Sequence, residues 1–68
     1  MISILIPIYD FTINELVKSI HYQCINSNIV FEIIAIDDDS EIEYKEQNRI
    51  IQTLPYVHYE ELSDNQGR

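Results

Sequence analysis

Three consecutive aspartates and a serine, Asp37-Asp38-Asp39-Ser40, stand at the end of the apolar run Phe31 to Ile36. A second apolar run, Ile2 to Ile8, ends in Tyr9-Asp10. Carboxylates of this kind can accept N–H bonds from a ligand ring or from the orphan amides of a following helix, and an exposed tyrosine ring can stack on a flat ligand. The bland alternative is a solvated cap, with Asp39 or Ser40 starting the next helix and Asp37, nearest the buried strand, serving the backbone. Asp38 is then the aspartate left for a ligand.

Whether these groups can cooperate depends on the elements that carry them. Ile33, Ile34, Ala35 and Ile36 are consecutive and mostly β-branched, the composition of a strand buried on both faces. The sequence predicts strands over Ile2 to Ile8, about Val30 to Ile36, and Tyr56 to Leu62. Pro7 removes a ladder donor, so regular pairing of the first strand is expected to fail about there. Between the strands, Thr12-Ile13-Asn14-Glu15 spells a capping box with Phe11 and Leu16 at staple spacing, and Ile13, Leu16, Val17, Ile20 and Cys24 form a helical stripe, predicting a helix from Ile13 to about Ile25. Ser40-Glu41-Ile42-Glu43 is a second capping box, opening a helix with the thinner stripe Ile42, Ile50, Ile51 and Leu54, which Pro55 closes.

The order β-α-β-α-β, with connections long enough for right-handed crossovers, predicts an α/β fold with a three-stranded parallel sheet. In an open sheet of that kind the carboxyl ends of the strands form the ligand rim. The order is half of a doubly wound sheet, and the apolar residues of the first strand would leave one edge and part of a face uncovered. The chain is therefore expected to be an incomplete sheet, a fragment or a unit that pairs with another chain.

The totals narrow the function. Twelve Asp and Glu against four Lys and Arg give a formal charge of -8, which excludes polyanion binding by basic groups. Tyr22, Tyr44, Tyr56 and Tyr59 lack the interleaved basic residues of a nucleic-acid surface. His21 and His58 lack metal-ligand spacing with Cys24 or the carboxylates. Cys24 is the single cysteine, so no intrachain disulfide can form and a reducing compartment fits. Ile2 to Ile8 is too short to cross a bilayer and has no basic region before it, so a cytoplasmic location is expected, with membrane association through other parts left open.

Ile4-Leu5-Ile6-Pro7-Ile8-Tyr9-Asp10, Leu16-Val17-Lys18-Ser19-Ile20 with Gln23, Phe31-Glu32-Ile33-Ile34 running into Asp37-Asp38-Asp39-Ser40, and Asn65-Gln66-Gly67-Arg68 together resemble the start of family 2 glycosyltransferases of the GT-A fold, a Rossmann-like architecture. The resemblance covers essentially the whole chain and only the opening, nucleotide-binding portion of such an enzyme. It implies that residues 1–68 bind the nucleotide of a nucleotide-diphosphate sugar, most simply of the UDP type. Pro7, Ile8 and Tyr9 would pack at the base, and Asp38 would hydrogen-bond it. The complete domain would transfer the sugar to an acceptor hydroxyl, with inversion in most of the family.

The family's metal-binding D-x-D motif and catalytic base lie further along. The resemblance therefore implies a divalent cation, Mg or Mn, without ligands in this chain, no catalytic residue among these 68, and an inactive isolated chain. Two positions depart from the family pattern. Asp39 stands where Gly or Asn is usual and a positive φ is convenient, and Asp10 stands where Asn is commoner, adding negative charge beside a phosphorylated ligand. The residues alone also allow a non-enzymatic acidic module that adds its open strand edge to a partner's sheet. A receiver-like phosphoacceptor fits poorly, since its acidic pair would follow the first strand.

Overall fold

The computed structural model describes residues 1–62, and the predicted Asn65-Gln66-Gly67-Arg68 motif lies outside them. The chain runs β1 (Ile2–Ile8), α1 (Asn14–Asn26), β2 (Phe31–Asp38), α2 (Ile42–Asn48), a 3-10 segment (Arg49–Thr53) and β3 (Val57–Leu62). The three strands form one open sheet in the order β1-β2-β3, and both pairings are parallel. This is the α/β fold expected, a partial Rossmann-like sheet.

Strand alternation divides the sheet into two unlike faces. Ile8, Ile33, Ala35, Val57 and Phe31 are buried and pack with Ile13, Val17 and Cys24 of the α1 region and with Ile51 of the 3-10 segment. Leu5, Pro7, Ile34, Ile36, His58 and Glu60 occupy the intervening positions and are half-buried or exposed, with Leu5 65% exposed. The expectation that β2 is buried on both faces is thus corrected. A sheet whose strands are in sequential order, each crossover having the same hand, receives both helices on one side.

Pro7 does not end the pairing of β1, since Pro7↔Ile36 and Ile8↔Asp37 are both in register. The Ile2 N–H donates to the Val30 carbonyl, and in a parallel ladder alternate residues turn their backbone groups to the same neighbour. Ile4, Ile6 and Ile8 therefore face β2, while Ser3, Leu5 and Pro7 face the open edge. The missing proline N–H falls where no described strand would use it.

Both predicted capping boxes are also corrected. The residue preceding α1 is Ile13 and that preceding α2 is Glu41, and neither helix has a side-chain cap from its own box. Phe11 and Leu16 are exposed, as are Ile42 and Ile50 of the second predicted stripe, whereas Ile51 is buried. The second helix keeps its α geometry only to Asn48 and then tightens, a common way for a helix to end. That tightening turns Ile51 toward the core and leaves Ile50 in water.

Candidate functional site at the carboxyl rim

The register Ile8↔Asp37 makes the carboxyl ends of β1 and β2 level, so Tyr9 and Asp38 are each one residue past a directly paired position. Pro7, Ile8, Tyr9 and Asp38 thus share one end of the sheet. Their surroundings differ: Ile8 is in the core, Pro7 is exposed, Tyr9 is 64% exposed and Asp38 is half-buried on the helix-free side.

Each aspartate of the run has a different task. Asp37 is fully buried, and its Oδ2 accepts the Ser40 N–H at 2.8 Å, while its Oδ1 has no hydrogen-bond partner among the described residues. It serves the turn. Asp39 has φ 61°, a left-handed value that aspartate tolerates better than most residues, and its Oδ1 accepts from Lys45 Nζ at 2.9 Å. The short pair with Asp39 holds the Lys45 ammonium above its ordinary pKa, against a smaller opposing effect of burial. Asp38, between them in sequence, projects on the opposite side by the two-residue period of the strand.

A clasp joins the loops after β1 and β2. The Asp10 N–H donates to Ser40 Oγ at 2.7 Å, and the Glu41 N–H donates to Asp10 Oδ1 at 2.9 Å. Asp10 reaches this position with φ 48°. Ser40 is thus a loop tie and not the helix cap that its place before Glu41-Ile42-Glu43 predicts. Below the clasp, the buried Asn48 accepts the Ile13 N–H on Oδ1 at 2.9 Å and donates from Nδ2 to the Phe11 carbonyl at 2.7 Å.

On the covered side of the rim, Arg49 holds Glu61 through two bonds of 2.7 and 2.8 Å. The guanidinium lowers the Glu61 pKa, and Glu61 in turn raises that of Arg49. Burial, followed by the nearby Glu61 carboxylate, pushes the Tyr59 phenol far up. The Tyr59 hydroxyl is buried and has no well-formed hydrogen bond among the described residues.

The aspartate run does not fit a metal. One carboxylate is spent on a buried amide, one on an ammonium, and the third points to the other side of the sheet. No group of three His, Cys, Asp or Glu side chains able to hold a metal ion occurs among the described residues. What the rim offers is an exposed aromatic ring and a half-buried carboxylate at the same end of neighbouring strands, groups that can stack on a planar ring and accept from its N–H. Asp10 was placed at this end by sequence, whereas Lys45 and Asn48 were not. Asn48 has no local signal in the sequence, and Lys45 is marked only as the first cation after an acidic run.

No helix among the described residues is long and apolar enough to cross a membrane. Comparison with models of protein families, with curated proteins and with solved structures found no match in any of the three.

Proposed function

We propose that the rim formed by Pro7, Ile8, Tyr9 and Asp38 binds the nucleotide of a nucleotide-diphosphate sugar, as part of a glycosyltransferase of the GT-A type. The observation that carries this reading is the Ile8↔Asp37 register, which sets an exposed tyrosine and a half-buried carboxylate at the same end of neighbouring parallel strands. Tyr9 would stack on the base and Asp38 would accept its ring N–H, while the clasp of Asp10, Ser40 and Glu41 holds the two loops at a fixed spacing. Sugar transfer itself would require a base and a cation site beyond these residues, and the chain by itself would bind without turnover.

Isothermal titration of the chain with uridine diphosphate and manganese tests this. Weak binding that disappears in Asp38→Ala, and that Tyr9→Ala weakens roughly tenfold as loss of a stacked base does, is the expected result. Equal heats for wild type and both variants would reject it.

A second reading has its own observation. Ser3 and Leu5 turn their backbone groups to the open edge of β1, and no charged side chain lies between Met1 and Tyr9, although edge strands commonly carry charge that prevents pairing. On this reading the chain is an acidic module that adds β1 to a partner's sheet. Amide exchange of Ser3 and Leu5 slowed by the partner and insensitive to nucleotide would favour it. Sedimentation of the chain as a stable, non-aggregating monomer would weigh against it.

A further inference from the structure

We propose that the amino end of the sheet, on the side covered by α1, is the surface through which two copies of this chain associate. Met1, Ile25, Ile29, Val30, Phe31 and Tyr56, with Asn28, surround a hollow of about 520 Å³ there. Met1, Val30 and Tyr56 each immediately precede a strand, so the patch lies at the opposite end of the sheet from Tyr9 and Asp38. Val30 is 70% exposed and Met1 82%.

Tyr56 is held in this patch against its backbone preference. Its φ is 68°, a left-handed value that is an outlier for a bulky side chain. The Tyr56 carbonyl accepts the Ile33 N–H at 2.9 Å, and its ring meets Phe31 edge-on with centroids 5.5 Å apart. Phe31 meets His21 in the same manner at 5.6 Å, and His21 Nε2 lies 3.0 Å from the Pro55 carbonyl. These contacts fix the turn before β3, yet the Tyr56 ring stays more than half in water. Backbone strain of this kind concentrates at working surfaces.

Charge selects the occupant. Residues 19–31 and 50–57 contain no Asp, Glu, Lys or Arg, in a chain whose formal charge is -8. Copies meeting at the carboxyl rim would oppose Asp10, Asp38 and Glu41, and copies meeting over α2 would oppose Glu43 and Glu46, where like charges repel. A charged partner gains nothing from a neutral patch, whereas a second copy of an acidic chain approaches best where carboxylates are absent. The open edge of β1 is also uncharged, but a doubly wound sheet adds its remaining strands there, beside β1 and not beyond the amino ends of β2 and β3. The hollow has too few polar groups to orient a small ligand. Val30 and Met1 border it, so in a two-fold pair the projecting side chains of each copy enter the hollow of the other.

The test is sedimentation of the whole chain from about 10 μM to about 1 mM. A reversible monomer–dimer equilibrium is expected, tighter at about 0.1 M sodium chloride than at about 10 mM because screening relieves the repulsion between two acidic chains. Val30→Glu, an exposed change that leaves the circular dichroism intact, should weaken the dimer about tenfold or more, since a two-fold contact meets the new charge twice. Tyr56→Asn keeps the left-handed turn with a residue that accepts it and removes the ring, so it should weaken the dimer to a similar extent while the circular dichroism is retained. Leu5→Lys, on the bare face of the edge strand, should dimerise like wild type. The inference is overturned if the chain is monomeric throughout, if salt weakens the dimer, or if Val30→Glu or Tyr56→Asn dimerises like wild type. Loss of the dimer in Leu5→Lys would identify the β1 edge or the bare face as the contact and overturn it equally.

Discussion

The side-chain amide of Asn48 gives the first turn of α1 the partner that its own capping box does not supply, and it does so across 35 positions of sequence. Replacement by alanine leaves the Ile13 N–H and the Phe11 carbonyl without their partner, at about 1–3 kcal/mol for each group that stays buried. We expect Asn48→Ala to lose about 2–4 kcal/mol in urea denaturation, a large fraction of what so short a domain possesses. Asn48→Asp, which sets a carboxylate oxygen against the Phe11 carbonyl and buries a charge, should lose at least as much. The left-handed turn at Asp39 gives a second test. Glycine and valine both remove the Lys45 partner, so the difference between Asp39→Gly and Asp39→Val isolates the backbone, and the valine variant should be less stable by about 1–2 kcal/mol. The sequence revealed that one aspartate of the run serves the backbone and that Asp39 could adopt positive φ. It could not reveal Asn48, because a helix cap supplied from another element leaves no local pattern.

At the scale of elements, the strands were legible because β-branched runs bounded by polar residues specify them locally, and the observed bounds differ by only one or two residues from those predicted. The helix stripes were less so. Ile42 and Ile50 stand at helical spacing with Ile51 and Leu54, but the change to 3-10 geometry after Asn48 rotates the later residues, and only the tertiary contact with β3 decides which isoleucine is inside. That contact is fastened by Arg49 and Glu61, and its pH dependence has a definite sign. The native Glu61 pKa is depressed, so its contribution is present above the ordinary glutamate value near 4.3 and is lost as pH falls through the lower native value. Thermal melts of wild type should therefore decline in this acid range. Arg49→Ala should decline less steeply there, and an unchanged slope would show that the pair does not link the segment to β3.

At the scale of the molecule, the described residues form a one-sided sheet in a chain with a formal charge of -8. Self-repulsion among the excess carboxylates opposes compaction, and added salt screens it over about 10 Å at 0.1 M. The melting temperature should rise when sodium chloride is raised from about 10 mM to 0.1 M, in spite of the weakening of the exposed ion pairs. A fall would mean that those pairs outweigh the net charge. The open edge at β1 and a partly uncovered face were legible from the element order, whereas the packing of β2 on one side only was not, because an isoleucine run reads alike whether one side or both are packed. The clasp at the rim has one more consequence. Asp10, Ser40 and Glu41 already hold the two strand-end loops in fixed relation, so a molecule arriving there meets a surface that needs little ordering. The free energy of its contacts goes into residence time with little lost to entropy, and association there should be rapid.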